Sequence, residues 1–94
     1  MSGTQSAEYA YLKVPPVPQM RSCVGLVLAG MAMRAKVGVG GLDEAVDILE
    51  RLHSESVPTR YRFSLGEECV IAEVEETVAA TGETSWRTVV ELVS

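Results

Sequence analysis

Two hydrophobic periods divide the chain. In "EYAYLKV", Glu8 to Val14, Tyr9, Tyr11 and Lys13 alternate with Ala10, Leu12 and Val14, the period of two that predicts a strand. "PPVP" stops it, because proline cannot donate to a ladder and holds the preceding residue extended. From Gln19 to about Lys36 the period is helical, and the pattern is apolar almost all round. That helix is therefore expected to be covered on more than one side. Ser22, Gly25 and Ala29 form a small-residue ridge on it, read as a site of close packing within the chain in preference to a dimer seam. "VGVGG" breaks the helix. A second one starts near Leu42, where Leu42, Ala45, Val46, Leu49 and Leu52 make one apolar stripe and Asp43, Asp47, Glu50 and Arg51 take the opposite face. After Pro58, "YRFSL" alternates again, with Tyr61, Phe63 and Leu65 on one face. "GEE" then turns the chain into "CVIAEVEE", an antiparallel hairpin. In "TSWRTVVELVS", Trp86, Val89, Val90 and Val93 recur at helical spacing, which predicts a last helix.

The expected order is β-α-α-β-β-α. Strands and helices segregate, which predicts an α+β two-layer sandwich: a mainly antiparallel sheet, made of the N-terminal strand and the hairpin, with one face covered by three helices. Residues 1–7, "MSGTQSA", read as a flexible terminus, and residues 8–94 as one domain.

Composition narrows the function classes. A chain of 94 residues with a formal charge of −5 and scattered basic residues is a poor match to a phosphate backbone, so no nucleic-acid partner is expected. The longest apolar run, Cys23 to Met33, is too short to span a bilayer, and no membrane partner is expected. Cys23 and Cys69 lack metal-ligand spacing, and only His53 offers a nitrogen. No metal is expected, and the two thiols are read as free, in a cytoplasmic protein. Pairing either thiol with His53 as nucleophile and base lacks an orienting residue. Asp43, Asp47 and Glu50 share a helix face that reads as solvated rather than as a carboxylate site.

The stretch "YLKVPPVPQMRSCVGLVLAGMAMRAKVGVGGLDEAVDI", with the hairpin "RYRFSLGEECVIAEVEE" and the final "TSWRTVVELV", resembles the bacterial anti-sigma factors of the GHKL ATPase superfamily. Their second helix typically reads D-L-R-L-A-V-D-E-A-x-x-N, and the shared word here is "AVD" at Ala45 to Asp47. Family members bind ATP, and many phosphorylate an antagonist protein. The resemblance puts Ile48 at the family's glutamate and Leu52 at its asparagine, and neither side chain moves a proton or holds a hard cation. In place of the D-x-G-x-G motif stand Glu76, Val78 and Ala80. The ATP lid and the family's final strand have no counterpart in this reading.

The resemblance therefore implies a scaffold whose nucleotide site is lost: a non-catalytic regulatory binding module with no cofactor, anti-sigma-like, acting on a sigma factor or an anti-sigma antagonist, and homodimeric. Candidate interface residues are Tyr9, Tyr11, Trp86, Glu73 and Glu75. Trp86 reads first as a core anchor and second as an interface residue. Glu73, Glu75 and Glu76 read as exposed charge, or else as a partner contact. The alternatives are a small divergent ATP-binding kinase or other small enzyme, and a structural or dimerisation domain unrelated to anti-sigma factors.

Overall fold

The first expected strand is β1, Glu8–Val14, in a computed structural model that describes residues 8–37, 40–78 and 80–93. The expected flexible terminus, residues 1–7, lies outside the described residues, as does part of the glycine-rich break. After the prolines, a separate 3-10 turn at Pro18–Met20 precedes α1, Cys23–Arg34, so the helix begins later than Gln19. It ends in a Schellman motif. Lys36 turns left-handed at φ 59. Its amide donates to the Met33 carbonyl at 3.2 Å, and the Val37 amide donates to that of Ala32 at 3.0 Å.

The second helix, α2, spans Leu42–Arg51, with Gly41 before it at φ 86, a conformation that glycine adopts without Cβ strain. Asp43 and Glu44 then lie in its first turn, where the helix dipole favours negative charge. The hairpin forms as expected from β2, Thr59–Gly66, and β3, Cys69–Thr77. Gly66 pairs with Cys69 around the two-residue turn Glu67 and Glu68.

The expected last helix is a strand. β4, Thr84–Val93, pairs antiparallel with β3 and completes a four-stranded sheet in the order β1-β2-β3-β4. Among the described residues, two α-helices, not three, cover the sheet. The strand stands where the resemblance placed the family's last helix. The cause of the misreading is a register shift opposite Ala72 and Glu73: Ala72 pairs with Val90 and Glu73 with Thr88, leaving Val89 as an extra residue. A bulge of this kind changes which alternate residues face inward. The shift breaks the strict alternation that marks a strand, and the four apolar residues at helical spacing do not share one face: Val90 is buried, whereas Val93 is 65% exposed.

One face of the sheet carries the core. Val14, Tyr61, Phe63, Val70, Ala72, Val74, Val90 and Leu92 are buried against Val24, Leu28, Met31 and Ala32 of α1 and Ala45 and Leu49 of α2. The helices meet closely at Gly25, since a Cβ there would lie 3.1 Å from Val46 Cγ1. The small-residue ridge is thus used inside the chain at Gly25. α1 is less covered than its composition suggests: Leu26 and Met33 on its outer side are 75% and 78% exposed. No helix among the described residues is long and apolar enough to cross a membrane.

Candidate functional site

The helical positions that the resemblance assigns to chemistry are apolar and engaged in packing. Ile48 and Leu52 are half-buried and lie against the core. Between them in sequence, Leu49 is fully buried, and its carbonyl accepts a 2.8 Å hydrogen bond from the Tyr61 hydroxyl. Burial pushes the Tyr61 phenol up from 10.0 to about 12; the nearby Arg21 opposes this and Glu50 adds to it. Asp43 and Asp47 are exposed, and Asp47 pairs with Arg51 one turn on.

Leu52 and Glu76 nevertheless share a cleft. The β2–β3 ladder runs from Gly66 and Cys69 to Tyr61 and Val74 and stops there. Beyond it, Thr59 and Arg60 continue to pair with β1, and Glu75 to Thr77 with β4. The sheet splits at this end, and a cleft of about 330 Å³ opens, lined among others by Leu52, Pro58, Arg60, Glu75, Glu76 and Arg87. Both carboxylates there are neutralised by arginine: Arg60 Nε lies 3.7 Å from Glu75 and Arg87 Nε 2.8 Å from Glu76. Val78 and Ala80 are exposed in the connection to β4 and do not line the cleft.

The opposite sheet face has no helix over it among the described residues, and there the candidate interface residues come together. Alternation places Tyr9, Tyr11 and Lys13 of β1 on this face, with Arg60 and Arg62 of β2, Glu73 and Glu75 of β3, and Trp86 and Thr88 of β4. Trp86 is therefore not a core anchor. Arg62 organises the group. Its guanidinium carbon lies 4.8 Å from the Tyr9 ring centroid and 4.7 Å from that of Trp86, while its Nε donates to Glu73 at 2.7 Å. The hydrogen bond to Glu73 holds the guanidinium more firmly protonated. Tyr11 bridges the two outer rings, 6.2 Å from Tyr9 and 6.0 Å from Trp86. Each cation–π contact of this kind is worth about 0.5–1 kcal/mol at a wet surface. The result is a flat, semi-rigid aromatic and charged patch.

The acidic cluster is thus not free charge: Glu73, Glu75 and Glu76 each hold an arginine. The signal was present in the hairpin, because a turn centred on Glu67 and Glu68 sets Arg62 opposite Glu73 and Arg60 opposite Glu75. Cys23 and Cys69 are free, half-buried thiols. His53 is buried, with Nε2 2.7 Å from the Pro15 carbonyl, to which it donates, and Nδ1 accepting from Arg21 at 3.5 Å. That leaves no ring nitrogen for either thiol, and His53 instead fastens the chain after β1 to the end of α2. Among the described residues, no three His, Cys, Asp or Glu side chains gather as a set of metal ligands.

No protein-family model, curated protein or solved structure matches the chain.

Proposed function

We propose that this protein is a non-catalytic regulatory module that acts by binding another protein through the open face of its sheet. The observation that carries this reading is the ordered patch of Tyr9, Tyr11, Arg62 and Trp86, a composition typical of interface anchors, on a face that no element among the described residues covers. Ile48 and Leu52 support the non-catalytic half of the reading, since both complete an apolar stripe at the positions where the resemblance requires an acid and an amide. The resemblance supplies the partner class, a sigma factor or an anti-sigma antagonist.

A small divergent ATP-binding enzyme is the second reading, and the cleft that joins Leu52 to Glu76 favours it. Titration calorimetry with ATP and magnesium, beside a phosphate-release assay, separates the two. The binding-module reading expects neither heat nor turnover. Tight nucleotide binding at the cleft, weakened by Arg87→Ala, would overturn it.

A further inference from the structure

We infer that the open sheet face is the docking surface for a second copy of this chain, the two copies packing face to face about a two-fold axis that runs along the strands between β2 and β3. The inference rests on reading this face as a protein-binding surface and makes a second copy its occupant while no other partner is bound.

The charges on the face are divided by strand. β1 and β2 carry Lys13, Arg60 and Arg62, whereas β3 and β4 carry Glu73, Glu75 and Glu91. Three basic and three acidic groups make the face neutral, although the whole chain carries a formal charge of −5. A neutral face brings two copies together without the net repulsion that the whole-chain charge would otherwise impose.

The register makes the division self-complementary. Ladder partners share a row across the sheet: Tyr11, Arg62, Glu73 and Thr88 form one. Lys13, Arg60, Glu75 and Trp86 form the next, with an ion pair spanning its step from Arg60 to Glu75 where the ladder has ended. The two-fold lays each row on its own reverse. Arg62 then faces Glu73 of the second copy, Arg60 faces its Glu75, and Lys13 faces its Trp86. Each intramolecular ion pair becomes half of an alternating square of four charges, and Trp86 gains a cation over its free side.

These squares lie on the two central strands, next to the axis, where the angle of about 30° between packed sheets displaces them least. Isologous pairing of this kind is also the commonest oligomer symmetry. Strands spaced about 4.8 Å apart, with about 3.3 Å per residue, give a face of about 500 Å² per copy. The total of about 1,000 Å² sits at the lower limit for specific interfaces, which implies a dimer of micromolar affinity rather than an obligate one.

Sedimentation velocity on the full chain tests this, from about 1 to about 200 µM, a range that brackets such an affinity. Wild type is expected to pass from monomer to dimer over that range. Arg60→Glu and Glu75→Arg each place like charges opposite one another twice, so a tenfold loss per contact compounds to about 100-fold weaker dimerisation. An equimolar mixture of the two variants is expected to recover the dimer, because each supplies the charge the other lacks. The internal Arg60–Glu75 pair stays broken in both variants, so recovery reports only contacts between copies. Circular dichroism verifies that both variants are folded.

A wild type monomeric throughout, variants that dimerise like wild type, or a mixture that stays monomeric would each overturn the self-pairing. A monomer whose capture of a different protein is lost on Trp86→Ala would overturn self-pairing alone. Loss of both associations removes the proposed function as well.

Discussion

Tyr61 concentrates two roles in one side chain. Its ring, fully buried, stacks on Phe63 at a centroid distance of 6.3 Å, and its hydroxyl satisfies the Leu49 carbonyl. Because burial raises the phenol to about 12 from 10.0, the folded chain holds a proton that the unfolded chain releases. The stabilisation is complete below pH 10 and is lost as pH rises from about 10 to about 12. A shift of that size corresponds to about 2–3 kcal/mol at most. Urea denaturation at stepped pH is expected to show the midpoint falling across this window. Tyr61→Phe should lower stability near neutrality by about 1 kcal/mol through the lost hydrogen bond, and should flatten the alkaline fall. An unchanged alkaline slope in that variant would assign the effect to other groups.

At the scale of elements, the hydrophobic pattern is a faithful guide wherever one face of a regular element is buried. β1 and β2 alternate without interruption, and the two-residue turn fixes the register of β2 against β3, so the sequence already places Tyr9 and Tyr11 apart from the core. α2 is legible for the same reason, including the inward Ile48 and Leu52. β4 is not, because the extra residue Val89 breaks the period of two midway, and the helical spacing of Trp86, Val89, Val90 and Val93 joins residues of both faces. The stronger signal was composition: Thr84, Thr88, Val89, Val90 and Val93 are β-branched, which favours a strand over a helix. The cost of that misreading reached the candidate site, since a helical Trp86 belongs in the core and a strand Trp86 meets Arg62. Packing between elements is a second thing the pattern does not encode. Gly25 is read only as a small residue until Val46 is found 3.1 Å from the position of its missing Cβ. Gly25→Leu is accordingly expected to push α2 away from α1 and to cost about 1–3 kcal/mol, read from chemical denaturation. Gly30, with nothing within 4 Å of its Cβ position, is the matched control, and Gly30→Ala should be neutral or stabilising through helix propensity.

For the molecule as a whole, the two faces of one sheet separate stability from association. Phe63 and Trp86 are both large aromatic residues on strands, but Phe63 is fully buried beneath the helices, whereas Trp86 stacks on Arg62 at the open face. Phe63→Ala opens a cavity in the core and is expected to cost about 3–5 kcal/mol. For a domain of this size, about 1 kcal/mol moves Tm by about 4–8 °C, so that variant should melt far below wild type or fail to fold. Trp86→Ala removes one cation–π contact and a partly wet ring, about 1 kcal/mol, and should shift Tm by less than about 8 °C. The same variant should lose protein association, because an aromatic interface anchor contributes far more to binding than to folding. Thermal denaturation beside sedimentation measures both quantities on the same samples. A Trp86→Ala variant as destabilised as Phe63→Ala would make the open-face cluster a structural clasp. A variant that melts near wild type but no longer associates places the function on the face the helices leave bare.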